Sequence, residues 1–208
     1  MVEVTTRATV APLLSAVRHW VFDMDGTLTV AMHDFDGIKR ALGIPPSADI
    51  LAHLAGLPAA EAAQKHAWLL DHERALAADA LPAPGAVALL RALAAAGCQL
   101  GILTRNDHAL ATLTLQAIGV GDLFDEVAII GRDEAVPKPS PDGVQQHLRR
   151  WGIAPAQAVM VGDHAYDLQC GRAAGAHTVL VNLPENPWPG HADWHFADCR
   201  ALHAAWQG

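Results

Sequence analysis

Asp23-Met24-Asp25-Gly26-Thr27-Leu28-Thr29 sets two carboxylates two residues apart, directly after an apolar run. At the end of a strand the two can sit in different environments, so that one is an ionised nucleophile and the other an acid and base. Gly26 permits a tight turn there. An Asp- and Gly-rich turn without chemistry has the same local pattern, so the motif alone leaves both readings open.

Three further segments, two at the ends of apolar runs and one in a loop, carry reactive groups. Thr104 offers a hydroxyl and is followed by Arg105 and Asn106 at the start of a helical pattern, where backbone amides favour anions. Lys138 lies in Val136-Pro137-Lys138-Pro139-Ser140-Pro141, where three prolines stiffen the loop that presents the ammonium. Gly162-Asp163-His164-Ala165-Tyr166-Asp167 brings two more carboxylates, which face one mouth if a helix begins near His164.

The elements that must position these groups follow from the hydrophobic pattern. Residues 19–23, 99–104, 127–131, 158–163 and 178–182 are short, nearly continuous apolar runs, as strands buried on both faces are. Helical patterns separate them. Residues 86–96 end at Gly97, and Asn106 or Asp107 caps a stripe of Leu110, Leu113 and Ala117. Ser140-Pro141 opens a helix with Val144, Leu148 and Trp151, and Gly175 closes the helix after Asp163. The alternation predicts an α/β, Rossmann-like parallel sheet with its reactive loops at the strand C-terminal ends.

One stretch interrupts the alternation. Residues 30–83 carry helical signals and no strand pattern: a stripe of Phe35, Ile38 and Leu42, a short helix over 49–55, and a long one from about Pro58 to Ala78 with Glu61 and Lys65 at i,i+4. The domain reading is a core of 1–29 and 84–208 with a small all-helical cap of 30–83, joined by the stiff linker Leu81-Pro82-Ala83-Pro84-Gly85. The expectation for the first eighteen residues is a short helix packed on the sheet.

Parallel topology gathers Asp23, Asp25, Asp163 and Asp167 at one end of the sheet. Like charges so close need neutralising. An all-oxygen donor set suits Mg²⁺, and a phosphate monoester fits a field of one divalent ion and one lysine.

With these four motifs in order from about His19 to Asn182, the sequence resembles the haloacid dehalogenase-like superfamily, on the phosphoglycolate-phosphatase-like side of subfamily I. The insert then matches that family's C1-type cap. The resemblance implies that Asp23 attacks phosphorus to form an aspartyl-phosphate and that Asp25 protonates the leaving alcohol and then activates water. It implies that Thr104, with nearby amides, holds phosphoryl oxygens and that Lys138 steadies the phosphate and Asp23. Mg²⁺ would take the Asp23 carboxylate, the Asp25 main-chain carbonyl and Asp163, with Asp167 in support. The expected catalytic set is therefore Asp23, Asp25, Thr104 and Lys138. The substrate-binding set is Thr104, Arg105, Asn106, Lys138 and His66, and the metal set is Asp23, Asp25, Asp163 and Asp167. Dehalogenase and phosphonatase members resemble the chain but lack a carboxylate at the position of Asp25, so its presence favours phosphoryl chemistry. A phosphomutase shares the same motifs. A receiver-like phosphoacceptor module also joins an acidic cluster, a Thr and a Lys on a parallel sheet, but the insert and the Asp23/Asp25 pairing argue against it.

The remaining signals are weaker. His66 and Glu73 share the stripe of the long cap helix, facing either the cleft, another cap helix or a partner chain. His191, His195, Cys199 and His203 recur every four residues, but Pro187, Pro189 and Gly190 and an edge-strand pattern at 194–196 break any single helix that would align them. A net charge of −8 over 208 residues excludes broad nucleic-acid or anionic-membrane binding. Cys98, Cys170 and Cys199 are too few and too scattered for a disulfide framework. With no signal-peptide pattern and no apolar run near the ~18 residues of a span, the expectation is a cytoplasmic enzyme of a small phosphorylated metabolite, with a homodimer compatible.

Overall fold

A computed structural model describes residues 14–30 and 35–208. Its centre is a six-stranded sheet in the order β3-β2-β1-β4-β5-β6, parallel throughout. The strands are β1 (His19–Phe22), β2 (Gln99–Leu103), β3 (Ile129–Ile130), β4 (Ala158–Gly162), β5 (His177–Leu180) and β6 (Trp194–His195). β1 lies between β2 and β4, with Phe22 level with Ile102 and Val161. The first and fourth motifs therefore emerge side by side.

Successive side chains on a strand point to opposite faces. Trp20 and Phe22 join a core with Leu89, Leu93, Leu115 and Leu202, supplied by α4 (Ala86–Ala95), α5 (His108–Ala117) and α8 (Cys199–Gln207). Val21 and Met160 go the other way, against Val144 and Leu148 of α6 (Asp142–Trp151) and Cys170 of α7 (Ala165–Ala174). Both faces are thus covered by helices, which is why the strands carry apolar residues at every position instead of every second one. Residues 14–16 are helical, and Leu14 and Val17 are buried in the first of these cores. Residues 1–13 of the expected N-terminal helix lie outside the described residues.

Among its described residues the insert holds three helices, α1 (Phe35–Leu42), α2 (Ile50–Ala55) and α3 (Ala59–Ala78). Ile38, Leu42, Ile44, Leu54 and Leu69 form a small core of their own. Lys65 and Glu61 pair at 3.1 Å. The two connections to the main body are tied together. Val30 N–H donates to Leu81 O at 2.9 Å, Ala83 N–H donates to Leu28 O at 2.8 Å, and Thr29 bridges antiparallel to Pro82.

One expectation is corrected and one alternative resolved. The strand over 127–131 shrinks to Ile129-Ile130, because Glu126–Ala128 forms a 3₁₀ turn after Asp125 at the sheet edge and leaves Val127 exposed. Asp107 alone caps α5, its Oδ1 accepting from Leu110 N–H at 2.8 Å. At the C-terminus Trp194-His195 adds a parallel edge strand and Asp198 caps α8 through Ala201 N–H at 2.9 Å. His191, His195, Cys199 and His203 consequently fall on a loop, a strand and a helix, not on one stripe. No helix among the described residues is long and apolar enough to cross a membrane.

Candidate active site

Asp23 continues the ladder of β1, its N–H donating to Val161 O at 2.9 Å. The chain then winds around one carbonyl. Met24 O accepts from Thr27 N–H at 3.3 Å, Leu28 N–H at 2.8 Å and Thr29 N–H at 3.0 Å. This turn needs a left-handed residue, and Gly26 supplies it at φ 84°. Glycine is doubly required there, since a Cβ would collide with the Asp163 carboxylate.

Lys138 lies at the middle of the site. Its ammonium pairs with Asp23 Oδ1 and, at 2.7 Å, with Asp167 Oδ1. All three side chains are at least nine-tenths buried. Asp167 is fixed from its other oxygen, where Oδ2 accepts from His164 N–H at 3.0 Å. His164 Nδ1 in turn accepts from Tyr166 N–H at 3.3 Å, so the acid that faces the lysine also caps α7. Thr27 Oγ1 stands 3.1 Å from Asp23 Oδ2 and 2.9 Å from Asp163 Oδ1, its single proton shared between two carboxylates.

One ammonium faces several acids here, and the titration of the group reflects it. Burial pushes the Asp23 carboxyl well up; Lys138 opposes the rise, while Asp167 and Asp25 add to it. Burial likewise raises Asp163, against its hydrogen bond from Thr27. Burial works against the Lys138 ammonium, but Asp23 and Asp167 overcome it and hold the group charged. The site is short of positive charge. Oxygens of Asp23, Asp163 and Asp167 lie within 4.8 Å of one another, a spacing and donor chemistry that suit a hard divalent cation.

The Asp25 carboxylate is not one of these three. Its Oδ2 accepts from Asn106 Nδ2 at 2.8 Å. Asn106 is itself held by main-chain contacts, its N–H donating to Thr104 Oγ1 at 3.1 Å and its O accepting from Arg132 N–H at 2.9 Å. Thr104, 3% exposed, closes β2 with its N–H on Ile130 O at 3.0 Å.

A cavity of about 20 Å³, room for one water molecule, separates this region from α3; Asp25, Thr29, Asn106, Leu110, Glu73 and Ala77 are among its lining residues. Of the two polar residues on the α3 stripe, Glu73 lines the cavity. His66 is exposed two turns away along the helix and does not line it, and Arg105 is exposed on the core side. Thr27 and Asn182 also belong to the site, beyond the residues that the sequence picks out. Thr27 was hidden inside the first motif. The only signal for Asn182 is its place just past the strand-like run that ends at Val181.

Comparisons with known proteins bear on the family and the fold. The sequence model of the haloacid dehalogenase-like hydrolases matches residues 17–175. A phosphoglycolate phosphatase of Rhodospirillum rubrum is 32% identical over 193 residues, covering 78% of this chain and 78% of that protein. A Saccharomyces cerevisiae hydrolase, YOR131C, is 32% identical over 171 residues, covering 81% of this chain and 78% of its own length. Among solved structures, CbbY from Rhodobacter sphaeroides in complex with phosphate superposes with a TM-score of 0.70 at 20% identity, over 92% of this chain and 100% of that one. At that identity the likeness speaks for the fold. The match of the family over most of the sequence, together with its phosphatase relatives and the shared architecture, shows that the chain belongs to the haloacid dehalogenase-like hydrolases.

Proposed function

We propose that this protein is a Mg²⁺-dependent phosphatase that hydrolyses a small phosphate monoester through an aspartyl-phosphate on Asp23. The observation that carries the reading is the Lys138 ammonium set between Asp23 and Asp167, with Asp163 alongside. It gives a buried carboxylate a counter-charge, an adjacent cation pocket and a place for an incoming dianion.

In the first step a carboxylate oxygen of Asp23 forms a bond to phosphorus while the bond to the ester oxygen breaks. Asp25, oriented by Asn106, gives its proton to the departing alcohol. In the second step a water attacks phosphorus, Asp25 takes the water's proton, and the bond to Asp23 breaks to free inorganic phosphate. Thr104 and the amides at the start of the following loop hold phosphoryl oxygens, and Lys138 favours the ionised form of the nucleophile against the burial that opposes it. Asp23 and Asp163, with the Asp25 main chain and support from Asp167, would hold Mg²⁺, which supplies charge neutralisation for the transferring group. The phosphoglycolate phosphatase relatives favour a small phosphorylated metabolite, and three buried free thiols favour a reducing, cytoplasmic setting.

The test is steady release of phosphate from p-nitrophenyl phosphate with Mg²⁺, abolished by EDTA and by Asp23→Asn. A single stoichiometric burst without further turnover would instead make the chain a phosphoacceptor module. Undiminished activity of Asp23→Asn would remove that residue from the nucleophile role.

A further inference from the structure

We propose that Asn182 is a positioning residue that sets the spacing of the Asp23 and Asp163 carboxylates, and with it the affinity of the site for a divalent cation; the inference rests on the metal-assisted phosphatase reading above. Asn182 follows Val181, whose N–H donates to Gly162 O at 3.0 Å, so it leaves the sheet beside the motif that carries Asp163. Its side-chain amide crosses to the first motif. Nδ2 donates to Gly26 O at 2.7 Å and to Thr27 O at 2.8 Å, consecutive carbonyls more than 150 residues earlier in the chain. Both facing atoms are acceptors, so the amide has one tolerable orientation, and a flipped group would set oxygen against two oxygens.

Two costs accompany this contact. Asn182 has φ 63°, the one non-glycine in the left-handed region among the described residues. Its Oδ1 is buried with no hydrogen-bond partner in the protein. A glycine would avoid both. Asparagine tolerates this backbone better than most side chains, and here the turn aims its amide at the first motif.

What the clamp holds is the short Gly26-Thr27 segment, whose other side touches the carboxylates. Thr27 Oγ1 bridges Asp23 Oδ2 at 3.1 Å and Asp163 Oδ1 at 2.9 Å, and Gly26 lies so close to Asp163 that no Cβ fits. Fixing these two peptides fixes the hydroxyl that spaces the two acids. Asn182 itself touches neither carboxylate, so its influence on the cation passes through Thr27 and Gly26.

The test uses the full chain, Mg²⁺ binding measured by calorimetry, p-nitrophenyl phosphate turnover over a range of Mg²⁺, and melting temperature without metal. Asn182→Ala and Asn182→Gly should each weaken Mg²⁺ binding about tenfold, as expected for losing two hydrogen bonds of ordinary strength. The Mg²⁺ needed for half-maximal rate should rise by the same factor, with KM for the ester at saturating Mg²⁺ changed by less than about twofold. Glycine adopts the left-handed backbone freely. A Gly variant that binds Mg²⁺ like the wild type would assign Asn182 to backbone geometry and overturn the proposal, as would unchanged binding in both variants. If the Ala variant does not fold, the Gly variant decides alone. A wild-type protein that neither binds Mg²⁺ nor turns over the ester would defeat the phosphatase reading itself, whereas active wild type with silent Asn182 variants would defeat only this assignment.

Discussion

Asn106 Nδ2 lies 2.8 Å from Asp25 Oδ2, so the residue two places beyond Thr104 aims the acid of the first motif. Because its main chain is pinned at both ends, Asn106 is a rigid support for that carboxyl. Asn106→Ala should cost alkyl phosphates at least about tenfold in kcat/KM, since an alkoxide leaves poorly without a well-placed proton. p-Nitrophenyl phosphate, whose leaving group departs unprotonated, should lose less. Equal losses on both substrates would place Asn106 on the phosphate and not on Asp25.

Lys138→Met would strand Asp23 and Asp167 in a buried site without their ammonium. The expected outcome is loss of turnover and a destabilisation of about 3–5 kcal/mol, read by urea unfolding. Adding Asp167→Asn should recover part of the stability and none of the activity, because it removes one stranded charge without restoring the cation beside Asp23.

Gly26 and Gly43 both have positive φ, at 84° and 67°, but only Gly26 has a neighbour where a Cβ would stand. Alanine at 43 should therefore cost only the backbone strain, about 1 kcal/mol, with normal activity. Alanine at 26 adds a collision with the Asp163 carboxylate and should abolish Mg²⁺-dependent turnover. Thermal melts and rates measured on the pair separate strain from close approach.

His147 gives the fold an acid sensitivity. Burial lowers its pKa to about 4; Nε2 donates to Ile102 O at 3.0 Å, and Nδ1 has no partner. Below the ordinary histidine value the unfolded chain binds a proton that the native ring refuses, so stability falls as pH drops from about 6.5 towards 4 and levels off below that. The integrated loss is about 3 kcal/mol. His147→Gln, which can still donate to the carbonyl, should flatten this slope in urea unfolding between about pH 7 and 4.5. An unchanged slope would assign the acid response elsewhere.

Cys98, Cys170 and Cys199 are all buried and free. Burial pushes the Cys170 and Cys199 thiols up to about 12 and raises Cys98 as well. Thiol reagents should leave the native protein unlabelled and active, and label all three only after denaturation.

The parts of the site legible in the sequence are those written in a single segment. Asp23 and Asp25, Thr104, and Asp163 with Asp167 each follow an apolar run, Lys138 sits in a loop marked by three prolines, and parallel pairing carries strand ends to one face whatever the detail. β3 is shorter than its apolar run because Val127, though apolar, sits exposed in a 3₁₀ turn at the sheet edge, which hydropathy alone does not distinguish from a strand. The sequence puts Asn106 at the site, but its bond to Asp25 is not legible there, because nothing in its neighbours shows that Asp107 takes the cap and leaves the Asn106 amide free to reach the first motif. Asn182 was missed because its partners at 26 and 27 become neighbours only in the folded chain. On the cap, periodicity placed His66 and Glu73 on one stripe but could not say how far along the helix the core would meet it, which is at Glu73.

The ribbon formed by residues 28–30 and 81–83 means that the polypeptide departs from the main body and returns to it at the same point. To the sheet, the excursion is a closed loop anchored by its own base pairings, and the entropy of closing such a loop grows only with the logarithm of its length. Designed exchange of everything between those anchors therefore has a ready splice junction, one that leaves the strand register of the main body untouched.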